Sequence, residues 1–195
     1  MKSIYKFLML AVIVTGAVSC EDSDLIIDEV YDTVDTETGA IVRTVEAPLD
    51  LVTGTGDNNS IDFVWEIQQG NGSIQPDFKE LRVLVRTWQD QDLIDPLVDG
   101  NGNPIPEAVY AVIPASAFEI GENGLPRIAF SIPTADLVAW MPEDAVYTVP
   151  SFVNTRLELE MNDGTVFDDS KVGATIAGIY FSSPYSYRTI FINDF

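Results

Sequence analysis

The sequence predicts an all-β domain built as a two-sheet sandwich, and two patterns carry that prediction. Apolar residues alternate with polar ones over several short segments, which is the period of a strand with one buried face. Clusters of Gly, Asn, Asp, Ser and Pro separate these segments and favour turns. Two sheets with one apolar face each must bury those faces against one another. About seven or eight strands therefore indicate an immunoglobulin- or fibronectin-like β-sandwich, with a jelly roll as the alternative.

Four segments show the alternation most clearly, and their apolar positions are predicted to face the core: Ile61, Phe63, Trp65 and Ile67; Leu81, Val83 and Val85; Ile128, Phe130 and Ile132; Leu157, Leu159 and Met161. Weaker strands are predicted over residues 40–46, 109–113, 145–149 and 187–192. One short helix is predicted from Thr134, as its capping residue, to Met141, because Pro142 follows and cannot continue it.

The first 19 residues have the organisation of a secretory signal peptide. Lys2 and Lys6 precede an apolar stretch over 7–14, much shorter than the roughly 20 apolar residues that a membrane-spanning helix needs. The sequence therefore predicts three regions: a signal peptide over 1–19, a lipidated cysteine with a flexible tether over 20–38, and a single domain over 39–195.

Cys20 is the only cysteine, and it follows the small residues of the segment 17–19. Residues 17–20 resemble the lipobox of bacterial lipoproteins, in which the cysteine thiol is acylated and becomes the new N-terminus. Ala17 departs from the leucine that is commoner there. The resemblance implies that Cys20 carries a lipid anchor, whereas the alternative is an ordinary signal peptide cut near Ser19.

The tether is strongly acidic, with eight acidic residues and no basic residue between Glu21 and Glu37. Such a block repels itself and stays extended. An acidic run directly after the lipidated cysteine also resembles the surface-export signal of Bacteroidota lipoproteins. This implies an outer-membrane protein exposed on the cell surface, with a periplasm-facing position as the alternative. Residues 32–34 resemble the O-glycosylation site of those bacteria, which makes Thr33 a candidate.

Composition excludes several classes of function. The eight basic and 31 acidic residues that remain after the signal peptide leave a net charge of −23, so binding to nucleic acid through a phosphate-neutralising surface is excluded. The chain has no histidine, which removes the usual nucleophilic triads, imidazole proton shuttles and common zinc centres. Neither a phosphate-binding loop nor a dinucleotide fingerprint is present. A non-catalytic protein without a resident cofactor is therefore predicted.

A pair of carboxylates is the one remaining arrangement in the sequence that could support catalysis. Glu158 and Glu160 lie on one face of a predicted strand, roughly 7 Å apart at two residues of ~3.3 Å rise. Glycosidases use carboxyl pairs at comparable separations. The alternative, which the pattern favours, is a strand face that is charged because it meets water.

A loop rich in oxygen ligands suggests a calcium site formed by Asp95, Asp99, Asn101 and Asn103. Asp90 and Asp92 could add ligands. The loop departs from the usual calcium pattern, because Pro104 stands at the sixth position and Tyr110 replaces the final glutamate. A hairpin loop of turn-forming residues is the alternative.

Trp88 is the candidate ligand-binding residue, together with neighbouring Arg86. It continues the alternation of the strand around Val83 and Val85 on the opposite face, and an outward tryptophan is a platform on which the apolar face of a sugar could stack. Trp65, by contrast, shares the inward face with Phe63 and is predicted to be core.

Four short segments resemble those of small Bacteroidota surface lipoproteins encoded beside SusC/SusD-like nutrient importers: residues 39–44, 125–127, 163–167 and 181–185. The matching residues form turns and strand starts. The resemblance implies a role accessory to glycan or nutrient uptake, with an importer or a glycan as partner, and implies no catalytic residue. A structural or adhesive module that binds another protein is the alternative.

Overall fold

Two sheets face each other across an apolar core. The computed structural model describes residues 39–69, 76–172, 177–178 and 182–192, all within one compact unit, Thr38–Phe195. The predicted signal peptide and tether, with Cys20 and Thr33, lie outside the described residues. Within the described part of the chain, no helix has the length and apolar character needed to cross a membrane.

The described residues contain ten strands: β1 (Ala40–Glu46), β2 (Leu51–Thr53), β3 (Ser60–Gln69), β4 (Phe78–Trp88), β5 (Ala108–Pro114), β6 (Glu119–Ile120), β7 (Pro126–Pro133), β8 (Ser151–Met161), β9 (Val166–Phe167) and β10 (Ser186–Ile192). The helix α1 (Thr134–Trp140) follows β7. The first sheet has the order β1-β3-β7-β6; the second has the order β2-β10-β8-β4-β5, with β9 also beside β8.

The second sheet is organised by the antiparallel pair of β4 and β8, each eleven residues long. Leu81 lies opposite Leu159 and Val83 opposite Leu157, and all four side chains are fully buried. Because successive side chains of a strand point to opposite faces, the residues between them form the outer face of this sheet.

Aromatic rings join the two sheets. Phe63 and Trp65 of β3 stack with ring centroids 4.6 Å apart, and the ring of Tyr187 on β10 lies 5.1 Å from that of Phe63. The Tyr187 hydroxyl also lies 2.7 Å from the Thr44 hydroxyl on β1. The core prediction for Trp65 is confirmed, since the residue is fully buried.

Tyr185 anchors β1 from the chain segment just before β10. Its hydroxyl donates to the carbonyl of Ala40 at 2.8 Å, and the neighbouring Ser183 hydroxyl accepts from the Val42 N–H at 3.0 Å. Burial raises the pKa of the Tyr185 hydroxyl, so the group stays protonated and can donate this bond.

The all-β sandwich prediction is confirmed at the level of two packed sheets with a short helix. The choice between immunoglobulin-like and jelly-roll topology stays a prediction. The four clear segments correspond to β3, β4, β7 and β8, and three of the weaker ones correspond to β1, β5 and β10. The strands β2, β6 and β9 were not predicted, because two or three residues are too few to show a period.

The strand predicted over 145–149 is wrong. Only Val146 pairs there, through one isolated bridge to Val98, and Val149 is 74% exposed. The prolines at 142 and 150 bound this segment and contribute no N–H to a ladder.

The predicted cap of α1 is also wrong. Thr134 is the first helical residue and Pro133 occupies the capping position. The Thr134 hydroxyl instead lies 2.9 Å from the carbonyl oxygen of Thr53 and 3.0 Å from that of Asn59. The side chain therefore ties the start of the helix to the β2–β3 connection, a long-range contact that a local capping rule cannot anticipate.

Candidate functional site

Sequence-predicted residues come together at one end of the outer face of the second sheet. Arg86 on β4 lies opposite Asn154 on β8, which in turn lies opposite Arg188 on β10. In the next row, Trp88 lies opposite Phe152. We call these five residues the arginine–aromatic patch. Local patterns in the sequence indicate Arg86 and Trp88 but not the other three residues, because strand register cannot be read from such patterns.

Trp88 lies on the outer face, as predicted, because β4 pairs with β8 without a bulge from Glu80 to Trp88. The residue is half-buried, and the guanidinium carbon of Arg86 lies 4.5 Å from the ring centroid. The indole nitrogen is buried without a hydrogen-bond partner among the described residues. Trp88 is thus a platform for Arg86, a cation–π contact, and a sugar stacked on this ring stays a prediction.

The β4–β5 loop, residues 89–107, holds both arginines of the patch. Arg86 Nε donates to the Ile105 carbonyl at 3.2 Å, and Arg188 Nη1 donates to the Gln91 carbonyl at 2.5 Å. The loop has its own small core, in which buried Leu97 and Ile105 pack with Met141. Such packing gives the loop a defined conformation beside the patch.

The predicted calcium ligands close the loop on itself. The Asp99 carboxylate accepts from the backbone N–H of Asn101 at 2.9 Å and of Asn103 at 2.8 Å, and from the Asn103 amide at 2.9 Å. The Asn103 amide, followed by these backbone groups, lowers the pKa of Asp99. Asp99, Asn101 and Asn103 are therefore brought together as a hairpin turn, the alternative that the sequence left open.

Asp90 closes the earlier part of the loop in the same way as Asp99, by accepting hydrogen bonds from backbone N–H groups. Its carboxylate accepts from the backbone N–H groups of Asp92 at 2.8 Å and Asp95 at 2.7 Å, and the Asp95 bond is the largest cause of its lowered pKa. Asp95 thus donates its backbone N–H to the Asp90 carboxylate. Across the described ranges, no group of three or more His, Cys, Asp or Glu side chains is arranged to hold a metal ion, so we do not propose calcium binding.

The carboxylate pair on β8 is neutralised by neighbouring cations. Glu160 accepts from Lys79 at 2.7 Å and also from Arg82, and Arg156 lies 2.9 Å from Glu158. The hydrogen bond from Lys79 is the main cause of the lowered pKa of Glu160. A glycosidase acid needs a raised pKa, so this geometry is that of an ion-paired strand face.

Glu66 on β3 is a buried charge that sequence reasoning missed. Its side chain is fully buried, and its carboxylate lies 2.9 Å from Arg43 Nη1 on β1 and 3.9 Å from Arg127 Nη1 on β7. The Asn123 amide donates to it at 3.2 Å. Both arginines lie directly opposite Glu66 in the sheet, a pairing that only the three-strand register reveals.

Gly121 allows the β6–β7 turn to approach this charge cluster. A Cβ atom at this position would lie 3.0 Å from Arg127 Cδ and 3.2 Å from Glu66 Oε1. Any larger residue would therefore push against the ion pair. The turn covers Glu66 because this position has no side chain.

A shallow depression of about 310 Å³ lies on the outer face of the first sheet and is lined by Glu46, Asp62, Phe63, Val64, Ala129, Phe130 and Ser131. The Asp62 carboxylate accepts from Ser131 at 2.6 Å and from Ser60 at 2.8 Å, so part of its hydrogen-bonding capacity is already used within the sheet.

No protein-family model and no curated protein matches the chain.

We expect Glu66→Gln to lower the free energy of unfolding by about 2 kcal/mol, measured by urea unfolding. This is less than the ~3–5 kcal/mol lost when a fully buried pair is broken, because the Arg43 and Arg127 side chains are 39% and 30% exposed and stay solvated. Glu46→Gln, a change at an exposed acidic position, is the matched control and should stay within ~0.5 kcal/mol. Equal losses in the two variants would contradict the assigned role of Glu66.

Proposed function

We propose that the chain is a non-catalytic, lipid-anchored protein of the outer membrane, exposed on the cell surface and accessory to a glycan- or nutrient-uptake system. The observation that carries this proposal is Cys20 at the end of a lipobox-like segment, followed by the acidic run 21–37. Several acyl chains on one cysteine give durable attachment. The acidic run would keep the domain away from anionic headgroups.

A non-catalytic role is supported by the chemistry of the domain. The chain has no histidine, and the carboxylates of Glu158 and Glu160 are engaged by Arg156, Lys79 and Arg82. A carboxylate-dependent glycosidase or lyase is the weakest alternative, because a general acid needs a raised pKa whereas the hydrogen bond from Lys79 lowers the pKa of Glu160.

A structural or adhesive module is the second candidate, and the edge strand β5 favours it. Val109 and Val112 are 48% and 51% exposed on this strand, and β5 forms one edge of the second sheet. An exposed apolar edge is a surface to which another β-strand can pair. The partner would then be a protein, with no role in uptake.

Lipidation is tested by metabolic labelling with an alkyne fatty acid. We expect label on the wild-type protein and none on Cys20→Ala, because Cys20 is the only thiol available for acylation. The variant should also leave the outer-membrane fraction. Label that persists on Cys20→Ala would contradict the anchor.

Association with an importer is tested by affinity purification from detergent-solubilised outer membranes. The accessory role predicts that a SusC/SusD-like pair is recovered with the wild-type chain. Cys20→Ala, which should be absent from this fraction, gives the background of the purification. Recovery of the lipoprotein alone would argue for the adhesive alternative.

A further inference from the structure

Two arginines of the patch lack an acidic partner in a very acidic protein. Five of the eight basic residues that the structure describes form ion pairs: Arg43, Lys79, Arg82, Arg127 and Arg156. No carboxylate of the described residues lies within 4.0 Å of Arg86 or Arg188. In a chain with 31 acidic residues, two arginines on one surface thus have no ion-pair partner among the described residues.

The two arginines share one row of one face. Asn154 lies between them in the register, so their backbones are separated by two strand spacings, roughly 10 Å. Lys171, the third basic residue without an ion pair, is placed differently. Its ammonium lies over the Phe167 ring and donates to the Val166 carbonyl, at the opposite end of β8 from Asn154.

Each of the two guanidinium groups is held in place by a hydrogen bond to the β4–β5 loop and still has further N–H donors. A guanidinium has five N–H donors. Arg86 directs one to the Ile105 carbonyl and stacks on Trp88, and Arg188 directs one to the Gln91 carbonyl. A planar guanidinium fixed in this way binds a carboxylate or sulfate oxygen pair in a bidentate geometry.

The acidic side chains of the neighbouring loop do not satisfy these arginines. The nearest acidic cluster in sequence is 90–95, and the Asp90 carboxylate is directed to backbone N–H groups of its own loop. Asp92 and Asp95 form no ion pair with either arginine, so within the described part of the chain Arg86 and Arg188 keep N–H donors for an external anion.

We propose that the arginine–aromatic patch binds an anionic polysaccharide, with Arg86 and Arg188 each receiving a carboxylate or sulfate group of the polymer. A sheet face that carries two arginines on strands roughly 10 Å apart fits an extended polymer that repeats its charges. The Asn154 amide between them donates one N–H to the Ser186 hydroxyl at 3.2 Å and has a second N–H donor. The inference deepens the proposed function and rests on it in one respect: a surface-exposed protein meets extracellular polymers.

A membrane surface fits the patch less well. Each basic residue near an anionic bilayer contributes only weakly to binding, and the rest of the chain carries a net negative charge that such a surface repels. At about 0.15 M salt the Debye length is ~8 Å, so carboxylates that lie farther than this from the patch are largely screened from a polymer bound there.

Binding is measured by isothermal titration of the detergent-solubilised full chain with polygalacturonate and with dextran sulfate, at physiological ionic strength. Neutral dextran and glycerol 3-phosphate, the latter as a lipid headgroup, serve as comparison ligands. We expect at least one charged polymer to bind and dextran not to bind. Arg86→Gln/Arg188→Gln should weaken polymer binding at least tenfold, because it removes both bidentate donors.

Lys171→Gln is the control for charge, since it removes a cation outside the patch, and it should bind like the wild type. Arg86→Lys/Arg188→Lys is the control for misfolding. It keeps both charges but loses the planar bidentate donors of arginine, so its affinity for the polymer should lie between those of the wild type and the double glutamine variant.

The inference is overturned if neither charged polymer binds, if dextran binds as well as they do, or if the double glutamine variant binds the polymers like the wild type. It is also overturned if that variant loses only glycerol 3-phosphate binding, which would assign the patch to the membrane. Its failure is distinct from failure of the proposed function, because fatty-acid labelling of Cys20 does not depend on Arg86 or Arg188.

Discussion

The antiparallel pairing of β4 with β8 is the interaction on which the rest of the structure depends. Its inner side chains, among them Leu81, Val83 and Leu157, form the second sheet's share of the core. Its outer side chains carry an ion-paired surface at one end, around Glu160, and the arginine–aromatic patch at the other. A single register therefore determines both the stability of the sandwich and the composition of its candidate site.

The chain has 10 basic residues against 31 acidic ones, and most of the described basic residues lie beside carboxylates. Most described basic residues compensate carboxylates that would otherwise repel one another or remain buried unpaired, as Arg43 and Arg127 do for Glu66. Burial of Glu66 without them would be costly. Arg86 and Arg188 are exceptions, and a platform and a loop hold them in place. This contrast between ion-paired arginines and arginines without a described carboxylate partner is the basis of the binding proposal.

Much of the sandwich was predictable from period-two alternation, since a strand with one buried face must show it. The inward positions of β3, β4 and β8 were recovered in this way, as was the outward position of Trp88. What failed depends on contacts distant in sequence. Neither the burial of Glu66, which needs three strands in register, nor the bonds of Thr134 to Thr53 and Asn59 leave a local pattern.

The candidate site was only half predictable for the same reason. Trp88 and Arg86 lie on one strand and could be selected from their spacing, whereas Arg188 is brought beside them by β10. The alternation also could not show that Arg86 covers the Trp88 ring. That contact changes the expected chemistry of the site from stacking of a sugar on a bare ring to binding of an anion by a guanidinium held in place.

The most direct measurement of the central claim is a titration of the arginine Nε–H resonances of the protein with polygalacturonate by NMR, with dextran sulfate in parallel. The account predicts that the Arg86 and Arg188 signals shift with at least one polymer, while those of ion-paired Arg82 and Arg156 stay in place. Equal shifts at all four arginines, or shifts confined to Arg82 and Arg156, would contradict it.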